Sequence, residues 1–351
     1  MDDGWADPRR LGSESRRAAA LLAGAREAIA SALRTRTEEI HLAPSHTGAL
    51  HAAVAATVHG RRRVGSTVVV SAVERAAVHA AVARAAGATV PVPVDRLGEV
   101  DVERFVAEAG GPGVALAVLQ HSNGEVGTLQ PIGRVHERAR AAGVPLLVDA
   151  GAAVGHTTID DGWDLLAADP RDWGGPAGVG VLAVRQRVRW TPTWPEDADR
   201  WFPGGVSVPA AFSAAVALQA REDEREATAA RHRTLVDRIR TRVPALVPDV
   251  EVVGPAADRL PHVVTFSCLF VDGEALVTEL DRAGFSVGSG SACASAAVEP
   301  SHVLAAMGVL THGNLRIVLD DTTTTDDVER FLHVLPGAVA RVRGTLGADG
   351  L

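Results

Sequence analysis

Cys293 stands between Gly288-Ser289-Gly290-Ser291-Ala292 and Ala294-Ser295-Ala296. A cysteine among residues this small reads as part of an open loop, where a thiolate can approach another reactant. His302 follows nine residues later, but Pro300-Ser301-His302 reads more simply as a helix start than as half of a Cys-His acid/base pair. The second cysteine, Cys268, lies in the apolar run Phe266-Ser267-Cys268-Leu269-Phe270 and reads as core. A further nucleophile is missing from the composition. All 35 residues counted as lysine plus arginine are arginine, so the chain has no side-chain amine for a Schiff base. Arginine cannot substitute, because its guanidinium stays protonated. His46 and His51 are five apart, not on one helical face, and no metal site is expected.

The elements that must carry these residues alternate. Helix is expected over Glu14–Leu33, from Ser45-His46-Thr47-Gly48 to Val58, and over Glu74–Ala86, Val102–Ala109 and Ile132–Ala142. Strands are expected at Glu39–Ala43, Thr67–Val70, Thr89–Val94, Val114–Leu119, Val144–Val148, Leu165–Ala168 and Val181–Val184. That order predicts a mostly parallel sheet covered by helices on both faces. The stretch Asp169–Gly180 is then a Gly/Pro-rich loop beyond a strand end, where α/β proteins place their ligands. A long helix over Pro209–Arg242 reads as a connector. Strands at Val250–Val253, His262–Ser267, Phe285–Val287 and Leu315–Leu319, with helices Gly273–Ala283 and Asp326–Val342, suggest a smaller α+β domain. The expected division is a large domain over 10–230 and a small domain over 231–351.

With 46% hydrophobic and 22% charged residues the chain has an ordinary globular composition. Its net charge of -8 is a poor match to a nucleic-acid surface. Its apolar runs are too short for a membrane span, and its acidic start lacks a secretory h-region. Two cysteines make no disulfide framework, which points to the cytoplasm.

The motif around Cys293, with Glu299-Pro300-Ser301-His302 after it, resembles the catalytic-cysteine loop of NifS/IscS-type cysteine desulfurases, in the class with the longer loop. These are class V aminotransferases of fold type I that use pyridoxal phosphate. Other segments look like theirs in the same order. Ser45-His46-Thr47-Gly48 stands for a Ser-Gly-Ala-Thr-Glu turn, and Glu74-Arg75 for a Glu-His pair. His121-Ser122-Asn123-Gly124-Glu125-Val126-Gly127 through Pro131 resembles an Asn-Asn-Glu-x-Gly motif, Val148-Asp149-Ala150 a Val-Asp-Ala strand end, and Gly175-Pro176-Ala177-Gly178 a Gly-Pro-Lys-Gly turn. Asn314-Leu315-Arg316-Ile317 resembles the strand with the substrate-carboxylate arginine. The implied fold is a large domain with a mostly parallel sheet between helices and a smaller C-terminal α+β domain carrying the cysteine loop.

The resemblance also assigns duties. Asp149 would face the pyridine nitrogen, Thr47 a phosphate and Asn123 the ring hydroxyl, as vestigial cofactor-binding residues. Arg316 would clamp a carboxylate, and Cys293 would carry a persulfide. Against these stand departures. Asp172 occupies the Schiff-base lysine position, Arg75 that of the ring-stacking histidine, and Asp169 that of a phosphate-site serine. The glutamine expected just past Asp149 is absent from Gly151-Ala152-Ala153, and an Arg-Ala-Gly-Thr segment reads Trp201-Phe202-Pro203-Gly204-Gly205. Together these favour a pseudoenzyme: a partner, regulator or sulfur relay with no bound cofactor, with Trp173 or arginine side chains filling part of the site. It would form a homodimer, or a heterodimer with an active desulfurase, and could serve a sulfur-acceptor protein. The alternative is an active desulfurase or sulfurtransferase using non-covalent pyridoxal phosphate or the Cys293 thiolate alone.

Overall fold

A computed structural model describes residues 5–194, 197, 199–290 and 300–345, and Cys293 lies outside the described residues. The chain divides into two compact units. The first comprises Met1–Val92, Val100–Ser122 and Gln130–Arg225, and the second Pro93–Glu99, Asn123–Leu129 and Glu226–Leu351.

In the first unit α1 (Ser13–Ala32) precedes β1 (Ile40–Ala43), α2 (His46–Gly60), β2 (Thr67–Ser71), α3 (Ala76–Ala85) and β3 (Ala88–Val92). There follow α4 (Val102–Ala109), β4 (Val114–Gln120), α5 (Ile132–Ala141), β5 (Leu146–Asp149), β6 (Leu165–Ala168) and β7 (Gly180–Val184). The strands form a seven-stranded sheet in the order β1-β7-β6-β5-β4-β2-β3. The pairs β2–β3, β2–β4, β4–β5 and β5–β6 are parallel, and β7 is antiparallel to β6 and β1. Every residue of β4, β5, β6 and β7 is buried, as a sheet covered on both faces requires. The carboxyl ends of β1, β2, β4, β5 and β6 therefore share one edge, from which His46, Arg75, His121, Asp149 and Asp169 extend.

The second unit holds the later part of α6 (Val208–Leu246), then β8 (Val250–Val253), β9 (Val263–Cys268), α7 (Gly273–Arg282), α8 (His302–Met307), β10 (Asn314–Val318) and α9 (Thr325–Thr345). Its antiparallel sheet runs β10-β9-β8. Its core joins Leu235, Val236 and Ile239 of α6 to Phe266, Leu280, Leu315 and Leu332. Cys268 belongs to that core, and burial pushes its thiol up to about 11. The strand expected at Phe285–Val287 is not formed. Among the described residues of this stretch it is Gly288 that bridges to Arg316, as an isolated pair.

Trp163, fully buried, anchors the entry to β6, with the Arg185 guanidinium 3.8 Å above its ring. Trp163→Ala is expected to lower stability by about 3–5 kcal/mol, read from the urea-unfolding midpoint of the full chain.

Candidate functional site

In the first unit one buried carboxylate gathers the charged side chains of the sheet edge. Asp149, the last residue of β5, is 3% exposed. Arg75 Nε donates to its Oδ2 at 2.9 Å, and the Gly151 amide donates to its Oδ1 at 2.9 Å. His46 Nε2 lies 3.0 Å from the same Oδ1, within ion-pair reach but off the line of a hydrogen bond. Burial alone would raise the carboxyl. Arg75 first, then His46 and the amide, outweigh it and hold Asp149 well below the usual carboxylate range.

Local structure explains how these groups meet. Ser45 caps α2 by accepting from Gly48 N at 3.0 Å, which fixes His46 in the helix's first turn. Arg75 precedes α3 just beyond β2. Gly151 makes room for both: a Cβ there would lie 2.5 Å from His46 Cε1 and 2.9 Å from Arg75 Nη2. Glu74 is buried on the other side, accepting from Gln120 N at 2.7 Å, and burial raises its carboxyl well above the ordinary value, with Asp149 adding to the effect.

The turn after β6 completes the cluster. Asp169 accepts from Arg171 Nη2 at 2.7 Å, and its Oδ2 is 3.9 Å from His46 Nδ1. Asp172 lies in the short 3-10 turn Pro170–Trp173 at the solvent-facing side of the cluster, its carbonyl accepting from His156 Nε2 at 2.7 Å. Desolvation by the surrounding walls pushes its carboxyl up to about 6, Asp169 and Asp149 adding and Arg75 and His46 opposing. The cluster can therefore hold one carboxylate ionised and another that exchanges a proton near neutrality. Trp173 is packed away, its Nε1 donating to the Ala214 carbonyl at 3.0 Å. Of the side chains expected to enter this region it is an arginine, Arg75, that does so.

Thr47 lies exposed in the first turn of α2. Sequence reasoning treated His46 as an ordinary side chain; the signal available was its place at the turn leaving β1, on the edge where Asp149 ends β5.

The second unit holds the other residues singled out. Asn123 Oδ1 accepts from Glu125 N at 2.8 Å and Val126 N at 3.0 Å, shaping the turn that presents Glu125. Arg316 on β10 exchanges both backbone hydrogen bonds with Gly288. Its half-buried guanidinium has no ion pair or side-chain hydrogen bond among the described residues, which leaves it able to take a carboxylate. Cys293 follows this segment in sequence, outside the described residues.

A sequence profile of the aminotransferase class-V family matches residues 4–331. The chain belongs to that family. A cysteine desulfurase of Cereibacter sphaeroides is 34% identical over 358 residues, 98% of this chain and 91% of that protein. Cysteine desulfurase IscS 1 of Archaeoglobus fulgidus is 39% identical over 266 residues, 72% of this chain and 67% of that protein. Among solved structures, a NifS-like protein matches with a TM-score of 0.86 at 22% identity, covering 98% of this chain and 92% of that one, a likeness of fold.

Membership corrects the expectation of no cofactor: pyridoxal phosphate is the cofactor of the cysteine desulfurase family to which the chain belongs. The residues present do not fit the family's covalent mode of holding it. No lysine exists in the chain, and both oxygens of Asp149 already meet Arg75, His46 and the Gly151 amide. A pyridine nitrogen directed at Asp149 must first displace one of those groups.

Asp149 contributes stability above its unfolded value of 3.8, and that contribution is lost as pH falls through its lower folded value. Arg75→Ala brings the folded value back up, so acid unfolding begins at higher pH than in the wild type. At neutral pH the cost is about 1–3 kcal/mol, below that of a fully buried pair because Arg75 is partly solvated. Circular dichroism of urea melts across the acid range measures both effects.

Proposed function

We propose that this chain acts in sulfur transfer within the cysteine desulfurase family, with the Cys293 thiolate as the sulfur carrier. The observation that carries the reading is the coexistence of the family's cysteine motif with a chain that contains no lysine. Persulfide exchange requires an accessible thiolate and no amine. The Cys293 thiolate attacks the outer sulfur of a donor persulfide. The donor's sulfur–sulfur bond breaks, and its inner sulfur leaves as a thiolate with the bonding pair. The outer sulfur and its proton remain on Cys293 as a new persulfide. One sulfur–sulfur bond replaces another, so no external oxidant or reductant is consumed. Arg316 supports a carboxylate-bearing donor such as cysteine persulfide, because its guanidinium has no ion pair among the described residues.

A second reading is favoured by the engagement of Asp149 with Arg75 and His46. In it the chain is a partner subunit, as a homodimer or paired with an active cysteine desulfurase, which accepts that enzyme's persulfide and passes it to an acceptor protein. A cytoplasmic setting suits the free thiols of both readings. Among the described residues no helix is long and apolar enough to cross a membrane.

Incubation with cysteine persulfide is expected to add the mass of one sulfur atom to the intact protein, and Cys293→Ser to take up none. Equal loading of Cys293→Ser removes Cys293 from the mechanism. A parallel arm supplies free cysteine with added pyridoxal phosphate. Sulfide released there, and not without the cofactor, assigns sulfur release to a cofactor-dependent route. Sedimentation with and without an active cysteine desulfurase decides between homodimer and mixed pair, and a monomer in both conditions discards the partner reading.

A further inference from the structure

The large sheet has a second charged edge, opposite the one on which Asp149 ends β5. There the amino ends of β5 and β6 lie beside the exit of the antiparallel β7. They border a cavity of about 160 Å³. Arg61, Arg140, Arg187 and Arg189 line it, and among its described lining residues the acid is Asp164. Arg61 follows α2, Arg140 stands in the last turn of α5, and Arg187 and Arg189 follow β7.

Asp164 does not balance all four arginines. It is 4% exposed. Its Oδ1 accepts from Arg187 Nε at 2.8 Å, and its Oδ2 accepts from the Leu146 amide at 3.0 Å. His136 Nε2 lies 3.3 Å from the same Oδ2. Both oxygens are engaged, and Arg187 is the arginine they serve.

The other three are differently placed. Arg61 is anchored by its Nη2, which donates to the Gly143 carbonyl at 2.8 Å. Its Nε is buried and has no hydrogen-bond partner among the described residues. Arg140 and Arg189 make no ion pair or side-chain hydrogen bond among the described residues. A cation at a helix C-terminus is favourable in itself, which accounts for Arg61 and Arg140. It does not account for Arg189, which lies in a loop and acts on Arg61 as a like charge. Burial first and then Arg189 lower the Arg61 guanidinium from its ordinary value, with Asp164 opposing them. Like charges gathered at one cavity cost free energy unless a counter-charge enters it, and a buried donor left open adds to that cost.

Size and geometry narrow the counter-charge. Cavities for drug-sized molecules run to about 300–1,000 Å³, so this one suits a compact ion. Guanidinium groups match the oxygens of carboxylate and phosphate alike. A phosphate is favoured because its tetrahedral oxygens can meet cations arriving from three elements, whereas a carboxylate offers two oxygens in one plane. We propose that this cavity is a binding site for a compact phosphate-class anion, held between Arg61, Arg140 and Arg189. None of these residues belongs to the Asp149 cluster or to the sulfur chemistry, so the site stands or falls independently of the sulfur-carrier reading.

The probe is inorganic phosphate, titrated by calorimetry into the full chain at neutral pH. Sodium chloride holds the ionic strength constant, so that diffuse attraction is screened equally throughout. Saturable binding is expected. Arg189→Gln and Arg61→Gln each weaken it about tenfold, the worth of one charge-assisted contact. Arg63 is exposed and does not line the cavity. Arg63→Gln removes the same net charge and leaves the affinity within about twofold. Circular dichroism confirms that each variant is folded. Thermal unfolding adds a readout that an arginine serving only the fold would move the other way. Without phosphate, Arg189→Gln melts at or above the wild-type temperature, because repulsion on Arg61 is relieved, and added phosphate raises its midpoint less than that of wild type. No saturable binding, equal weakening by Arg63→Gln, or unchanged binding in both cavity variants overturns the proposal. A lower phosphate-free melting temperature in Arg189→Gln also overturns it, because the charge of Arg189 is then matched within the protein.

Discussion

The buried carboxylate of Asp149 is the constraint around which the carboxyl edge of the large sheet is arranged. An ionised carboxylate withdrawn from water is costly unless cations and donors replace the water it loses. Here the replacements come from separate elements: Arg75 from beyond β2, His46 from the start of α2, and the Gly151 amide from the chain itself. Glycine at 151 is the steric condition for this arrangement, since a side chain there would collide with both His46 and Arg75. Asp169 and Asp172 then add negative charge around the same group, with Arg171 offsetting the former. The edge is a mutually satisfied charge cluster, and any change to one member alters the ionisation of the others.

The second unit handles a buried acid in the opposite way. Glu125 has no ion pair within contact distance among the described residues; a hydroxyl from Ser301 and the charges of Arg316 and His302 act on it against burial. The result is a raised carboxyl where Asp149 has a depressed one. The contrast follows from the partner, because both groups are withdrawn from water and desolvation heads the causes for each. A guanidinium in contact fixes the charge of Asp149 across the working range of pH, whereas a hydroxyl and charges outside ion-pair distance leave that of Glu125 adjustable.

Much of the fold was legible because the strands of the large sheet are buried on both faces. Val114–Gln120 is an unbroken buried run, and such runs announce a covered parallel sheet without any long-range information. Phe285-Ser286-Val287 misled because so short a stretch carries no record of whether a partner strand lies beside it; among the described residues after Phe285 it is Gly288 that bridges to one. The site was legible by residue type and less so by contact. The entry of an arginine was among the expectations from the sequence, and Arg75 reaches Asp149. The role of His46 was not, because its partner Asp149 is contributed by a strand far along the chain. Asn123 shows the same limit: its side chain closes the turn of Glu125, a local duty that a cofactor-contact assignment does not reveal. Glu125 stood inside a motif already noted, but its burial depends on Gly290, Ser301 and Asn314, which only the tertiary structure brings together.

The chemistry of the family divides into removing sulfur from an amino acid and carrying it as a persulfide. Covalent cofactor binding for the first uses a lysine amine that this chain lacks, whereas the second uses a thiolate. Gly290, Ser301, Asn314 and Glu125 belong to the unit with its own antiparallel sheet and core. Arg75, Asp169 and Asp172 belong to the other unit, where Arg75 and the carboxylates oppose one another's charge around Asp149. Among the described residues the contacts named for each cluster fall within its own unit. The absent amine bears on how a cofactor could be bound and not on persulfide exchange at a thiolate, because that exchange breaks and forms only sulfur–sulfur bonds.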